Sequence, residues 1–380
     1  MPPQLPHELS DHIIDFLHDD KGALFSCSLT CQAWLPAARY HLFNHVTVVG
    51  RLQPFSLFLD FAKEVRPYVR SLHYDGGYCF RPCEYTELRS ILDRLPSLMR
   101  LHLERLNMDT SSFHELLDSH GYKELTNLTL VSLSIRSITD LRRLVSSPSL
   151  RHLTVDNLEV FCDEGETVPP PTLTSLSIGG FQENGISFFD WLTMGSRAQH
   201  IRKCRTIIHS EEDVDYIKHV LRILGDTLEE FEMLVDADTN LNAIFQDTEF
   251  SLSVLSNIHS CTLEFIIPEM FVGQNRSLAW ITSLLCQLES PSLETVALHV
   301  KADSMEDLRA LDSECGFRGY ATVSFDDYCA LDWGKIESEV TKNRLLKNLR
   351  IQGRGRTDGF MRHIESLYPR LYPLIRPCPL

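Results

Sequence analysis

Apolar residues recur along the chain at two different spacings, and the change from one to the other falls near Phe43. From Leu5-Pro6 onward, Leu9, Ile13, Phe16 and Leu17 follow the four- and three-residue intervals that place side chains on one helix face. Pro6 suits a first helical turn. Asp19-Asp20 and Gly22 interrupt the pattern, and Leu24, Cys27, Ser28 and Cys31 supply a second short face. After Trp34 a third helix, with Pro36 in its first turn, runs through Ala38 and Leu42 to Phe43. Three helices this short cannot bury so many large side chains among themselves. Some must face a partner or the rest of the chain.

Beyond Phe43 one template keeps returning: apolar, two residues, apolar, one residue, apolar. It fits Phe43-Val46-Val48, Val69-Leu72-Tyr74, Leu98-Leu101-Leu103, Leu125-Leu128-Leu130, Leu150-Leu153-Val155 and Leu173-Leu176-Ile178. Looser copies are Ile201-Cys204, Leu228-Phe231-Met233, Ile258-Cys261-Leu263, Leu293-Val296-Leu298 and Leu346-Leu349-Ile351. Through Ile258 the starts lie 23 to 30 residues apart, close to the ~20–29 of leucine-rich repeats. The intervals then widen to 35 and 53, and the last leaves room for another unit near Phe317, Tyr320 and Thr322. Amphipathic segments at 85–95, 212–224 and 276–288 lie between the strands, so each unit reads as strand then helix. Such a unit cannot bury its own apolar faces, and stacking predicts a curved solenoid with a parallel sheet on its concave side.

The expected fold class is α/β, with a three-helix domain over 1–45 and a degenerate leucine-rich-repeat-like solenoid over 46–380. Three residues past the last strand position, where such repeats commonly carry Asn, stand Leu106, Leu133, Leu158 and Phe181. The turns must therefore satisfy their backbone groups in some other way. Cys162 to Val168 with Pro169-Pro170-Pro171 has the composition of an inserted loop, and the Pro-rich end from Pro369 to Pro379 reads as a terminal cap or a loose tail.

Composition narrows the partners. Hydrophobic residues make up 43% and charged residues 23%, as in folded globular chains. A formal net charge of -16 repels phosphate backbones and anionic lipid, so no nucleic acid or membrane is expected as the main partner, and a protein is. The N-terminus lacks the regions of a signal peptide and no apolar run approaches the ~18 residues of a membrane span. A cytoplasmic or nuclear location is expected. Eleven scattered cysteines fit reduced thiols better than a disulfide framework.

The wording of the first 45 residues carries a resemblance. Leu5-Pro6-x-Glu8-Leu9-x3-Ile13-x3-Leu17, then Leu24-x2-Cys27-Ser28-Leu29-x-Cys31-x2-Trp34, then Ala38-Arg39-x2-Leu42-Phe43, resembles an F-box of the variant common in fungal families. The resemblance implies that Leu5, Pro6, Leu9 and Ile13 help dock a Skp-family adaptor, while Leu24, Leu29, Cys31 and Trp34 hold the helices together or complete that contact. It also implies a bridge through the adaptor to a cullin-RING ubiquitin ligase. The function expected on this basis is that of a non-catalytic substrate receptor of an SCF-type ligase. A scaffold acting outside a ligase and a hydrolase-like enzyme on an unusual α/β fold are the alternatives.

Little else in the sequence carries chemistry. Cys27-x3-Cys31 and His41-x3-His45 have zinc-compatible pair spacings, but the nine residues between the pairs fall short of the about twelve a finger needs. No metal, cofactor or catalytic residue is assigned. Gly353-x-Gly355-x3-Gly359 has the wrong spacing for a dinucleotide loop. Lys342, Arg344, Lys347, Arg350, Arg354 and Arg356 form a basic stretch without acidic residues, read as a solvated face or an acidic-ligand site. In the strand template the residue between the last two apolar positions points away from the core. That rule selects His73, His102, Thr129, Thr154, Ser177, Arg205, Glu232 and Arg350 as the surface for an unidentified protein substrate, with Arg205 and Arg350 as anchors for a carboxylate or phosphate.

Overall fold

The structure is a computed structural model that describes residues 7–77, 85–108, 116, 120–162, 169–181, 185–210, 212–235, 250–268, 282, 284–288, 290–303, 320–322, 331–340, 346–353 and 356–379. The chain divides into two compact units, Met1–Thr172 and Leu173–Leu380.

The first unit opens with helices α1 (His7–Asp15), α2 (Lys21–Thr30) and α3 (Leu35–Phe43). Asp20 starts α2, its carboxylate accepting the Ala23 N–H at 2.9 Å, and Pro36 sits in the first turn of α3. Strands β1 (His45–Val49), β2 (Ser71–Asp75), β3 (Arg100–Glu104), β5 (Asn127–Ser137) and β6 (His152–Cys162) then pair in chain order, all parallel. Strand β4 (Asn107–Met108) prolongs β3 alongside β5. Helices α4 (Gln53–Phe61), α5 (Tyr85–Asp93) and α6 (Ile138–Val145) return the chain between strands. Arg94 ties two of these returns together, donating to the Ser56 carbonyl at 3.0 Å and pairing with Asp60 at 2.8 Å.

The second unit repeats the plan. Strands β7 (Ser175–Phe181), β8 (Lys203–Ile208), β9 (Glu230–Val235), β10 (Ser260–Pro268), β11 (Thr295–Asp303), β13 (Asn348–Gly353) and β14 (Ile375–Pro379) are parallel neighbours in that order. Helices α7 (Gly185–Thr193), α8 (Glu212–Leu224), α9 (Trp333–Val340) and α10 (Thr357–Leu367) lie between strands. Strand β12 (Tyr320–Thr322) runs antiparallel to β11. The residues suggested as a further repeat near Tyr320 and Thr322 therefore add a reversed strand to the ladder, while Phe317 lies outside the described residues.

Template positions stack in register because each copy has the same internal spacing. Leu72, Leu101, Leu128 and Leu153 are cross-strand partners, as are Tyr74, Leu103, Leu130 and Val155, and all eight are buried. Each fully buried leucine of this kind contributes roughly 1.5–3 kcal/mol. The stack is also pinned at most strand starts by two successive N–H groups converging on one carbonyl of the previous repeat. Arg100 with Met99 on Arg70, Asn127 with Thr126 on Met99, and His152 with Arg151 on Thr126 show this in the first unit, and Lys203 with Arg202 on Thr174 in the second.

The turns resolve the missing asparagine. Leu106, Leu133, Leu158 and Phe181 are buried, so they extend the core where the consensus would place a polar side chain. Backbone bonds between repeats satisfy the corner directly: Gly76 donates to Glu104 O at 2.9 Å, Arg105 to Val131 O at 3.0 Å and Ser134 to Leu106 O at 3.1 Å. The corner needs a left-handed residue two positions past the template, with φ of 77° at Gly50, 53° at Arg105, 52° at Ser132, 50° at Asn157 and 54° at Gly180. The segment 163–168 lies outside the described residues. The Pro-rich end is a cap, since Ile375–Pro379 pairs with β13.

Candidate functional site

Two surfaces stand out, one on the helices and one on the sheet. In the helical segment Ile14, Leu24, Cys27 and Ala38 form the core, with Leu17, Trp34, Ala37 and Leu42 packed on it. Of the two roles left open for Leu24, the structure places it among the residues that hold the helices together, because α2 turns Leu24 and Cys27 inward at an i, i+3 interval. Trp34 likewise packs against the core, and Cys31 is exposed. Leu9, Ile13 and Leu29 are exposed at 51%, 47% and 72%. Phe16 and Phe25, which the sequence reading did not place at a contact, are exposed as well, at 74% and 59%. Leu5 and Pro6 lie outside the described residues.

Cys27, Cys31, His41 and His45 have separate surroundings. Cys27 sits in the core, His41 Nε2 lies 2.7 Å from Asp15 Oδ1, and His45 Nδ1 lies 2.9 Å from Ser71 Oγ. Cys204 and Cys261 are buried thiols whose pKa burial pushes up to about 12.

On the sheet, the residues selected by the alternation rule are in register. In the first unit His73 partners His102, His102 partners Thr129, and Thr129 partners Thr154. In the second, Ser177 partners Arg205 and Arg205 partners Glu232. All seven are partly exposed, and Arg350 is exposed beside its partner Arg376. Arg205 is less available than the sequence suggested, since its Nε lies 3.4 Å from Glu232 Oε1. Further cross-strand pairs join Lys203 to Glu230 at 2.7 Å and Lys347 to Glu294 at 2.8 Å. Within the basic stretch, Lys347 is thus partnered, while Lys342, Arg344 and Arg354 lie outside the described residues.

The first unit carries the most concentrated chemistry. The His73 and His102 rings are 4.0 Å apart between centroids. Glu104, on the same face of β3 as His102, brings Oε2 to 3.0 Å from His73 Nε2 and 3.5 Å from His102 Nε2. Arg105 binds Asp75 through both guanidinium and carboxylate edges and approaches Glu104 Oε1 at 3.6 Å. Burial, then the charge of His73, holds the His102 imidazole below its ordinary pKa; burial also lowers His45. Burial alone would raise Asp75, but the Arg105 hydrogen bond, the Gly77 N–H and the charges of Arg105 and His73 together outweigh it and the net shift is downward. Beside the cluster a pocket of about 300 Å³ is lined by Gly77, Arg105, Ser132, Ser134, Asn157 and Glu159, among others. Glu104, Asp75 and Arg105 escaped the sequence reading. For Asp75 and Glu104 a signal was there in Leu72-His73-Tyr74-Asp75 and Leu101-His102-Leu103-Glu104, two successive strands with His and then an acid two residues on, hence on the same face.

No protein family matches the chain, and neither does any curated protein. Among solved structures the chain is similar to one in the crystal structure of the Rad7 and Elc1 complex in yeast, at 12% identity over 77% of this chain and 88% of that chain, with a TM-score of 0.34. A likeness at that level carries no weight for function. Among the described residues no helix is long and apolar enough to cross a membrane.

Proposed function

We propose that this chain is the substrate-recognition subunit of an SCF-type cullin-RING ligase, with the helical segment docking a Skp-family adaptor and the repeat strands binding a target protein. The observation that carries the reading is the set of exposed apolar side chains on α1, just after it, and on α2. Leu9, Ile13, Phe16, Phe25 and Leu29 remain open while the helices already have a core of their own. Exposed apolar side chains of this size on two neighbouring short helices fit a protein partner, and the residues around them follow the order and spacing of an F-box. The mechanism is proximity: a bound target is held at high effective concentration near a ubiquitin-conjugating enzyme. On the sheet, Arg350 with Arg376 is the preferred anchor for an acidic or phosphorylated segment, and Arg205 the weaker one because Glu232 balances it.

The test is a titration of purified adaptor against wild type and Leu9→Ser/Ile13→Ser. The expected result is loss of adaptor affinity by more than about 100-fold, the size of removing two interface anchors, with an unchanged thermal transition. Unchanged affinity would sink the adaptor reading. Recovery of the adaptor from cells without a cullin would point to a scaffold outside a ligase. Comparing proteins captured by wild type and Arg350→Ala then tests the anchor.

A further inference from the structure

We propose that His73, His102 and Glu104 bind a divalent transition-metal ion of the zinc type, with one coordination position left open to water or to a ligand. The proposal is independent of adaptor docking and concerns only the sheet face of the first unit.

The donors are of the right kind and already gathered. Two imidazoles and a carboxylate suit zinc and its neighbours in the series. Among the described residues this trio is the one group whose donor atoms all fall within 4.8 Å of one another. Bonds of about 2.0–2.2 Å at a tetrahedral centre put ligand atoms about 3.3 Å apart. The Glu104 Oε2 atom lies 3.0 Å from His73 Nε2 and 3.5 Å from His102 Nε2, on either side of that value. His102 Nε2 is buried and makes no hydrogen bond, its nearest charged neighbour being Glu104 Oε2 at 3.5 Å, so a buried nitrogen aimed into the cluster has its hydrogen-bonding capacity unused.

The scaffold fixes the geometry. His73 and His102 are cross-strand partners in a parallel pair, and Glu104 follows His102 by two residues, which returns it to the same face. Ligands on regular strands are placed more rigidly than ligands on loops. Arg105 is the nearest positive charge, and it is engaged by Asp75, leaving its approach to Glu104 on Oε1 while Oε2 faces the histidines. All three ligands come from one face of a sheet, so the opposite side of an ion stays accessible.

The experiment is calorimetric titration of zinc into the full chain, paired with cobalt substitution read by electronic absorption. One site per chain is expected that weakens by more than about 100-fold in His102→Ala, beyond the 10–100-fold that loss of an outer-shell partner costs. Glu104→Gln, which preserves shape and removes a charged ligand, should weaken it too, while Cys27→Ser and His41→Ala should not. Cobalt should give tetrahedral ligand-field bands without a thiolate charge-transfer band. Absence of zinc binding, binding unchanged in both His102→Ala and Glu104→Gln, or a thiolate band in the cobalt form would overturn the proposal.

Discussion

Single positions in this chain show how strictly a repeat enforces its template. Thr206 occupies the last apolar position of its strand, in register with Ile178 and Met233, and is fully buried. Its hydroxyl has no hydrogen-bond partner. A buried hydroxyl without a partner carries a desolvation cost of about 1–3 kcal/mol, which an apolar group of the same shape avoids. Thr206→Val should therefore stabilise the protein by about 1 kcal/mol, read as a higher urea midpoint at unchanged slope. A lower midpoint would mean that the hydroxyl finds a partner after all. Cys204 and Cys261 sit in the neighbouring register row, flanking Phe231, and serve as small apolar residues there.

At the scale of elements, helix α1 divides a core residue from an exposed one between two adjacent positions. Ile14 is fully buried and Ile13 is 47% exposed. Ile14→Ala removes buried methyl groups and leaves a cavity, at a cost of about 2–5 kcal/mol. Ile13→Ala should shift stability by no more than about 0.5 kcal/mol. Thermal unfolding of the two variants checks this, and equal losses would show that α1 packs through the other face. The sequence pattern identified α1 as amphipathic and could not say which face turned inward. The same limit left Leu24 undivided between core and contact, because in a short helix several residues of similar size compete for the core and only the packing of the other helices chooses among them.

For each unit taken whole, the ladder must end somewhere, and an open edge invites pairing with another chain. In the second unit β14 covers β13, placing Ile375 beside Leu349 and Pro377 beside Ile351. Pro377 and Pro379 on this edge strand lack the N–H needed to extend the sheet. Removing residues 375–380 should bare the β13 edge and drive self-association, detectable by light scattering after size exclusion. A truncated chain that stays monomeric with an unchanged melting transition would show that β14 is dispensable as a cap.

The repeat is legible from the order of residues alone. Identical spacing of apolar residues fixes which side chains enter the core, and in a parallel stack equal spacing becomes register without further information, so the outward row from His73 to Thr154 was legible. That order also announced that the turns had lost their asparagines. Tertiary structure decided what replaces them, because whether Leu106 or Leu133 is buried depends on what the next repeat lays over it. It decided the orientation of the N-terminal helices, the antiparallel β12 and the pairing of Arg205 with Glu232. It also brought Glu104 to both histidines. Adjacency across strands is a relation between residues about thirty positions apart, and no local spacing rule encodes the distance at which two such side chains meet.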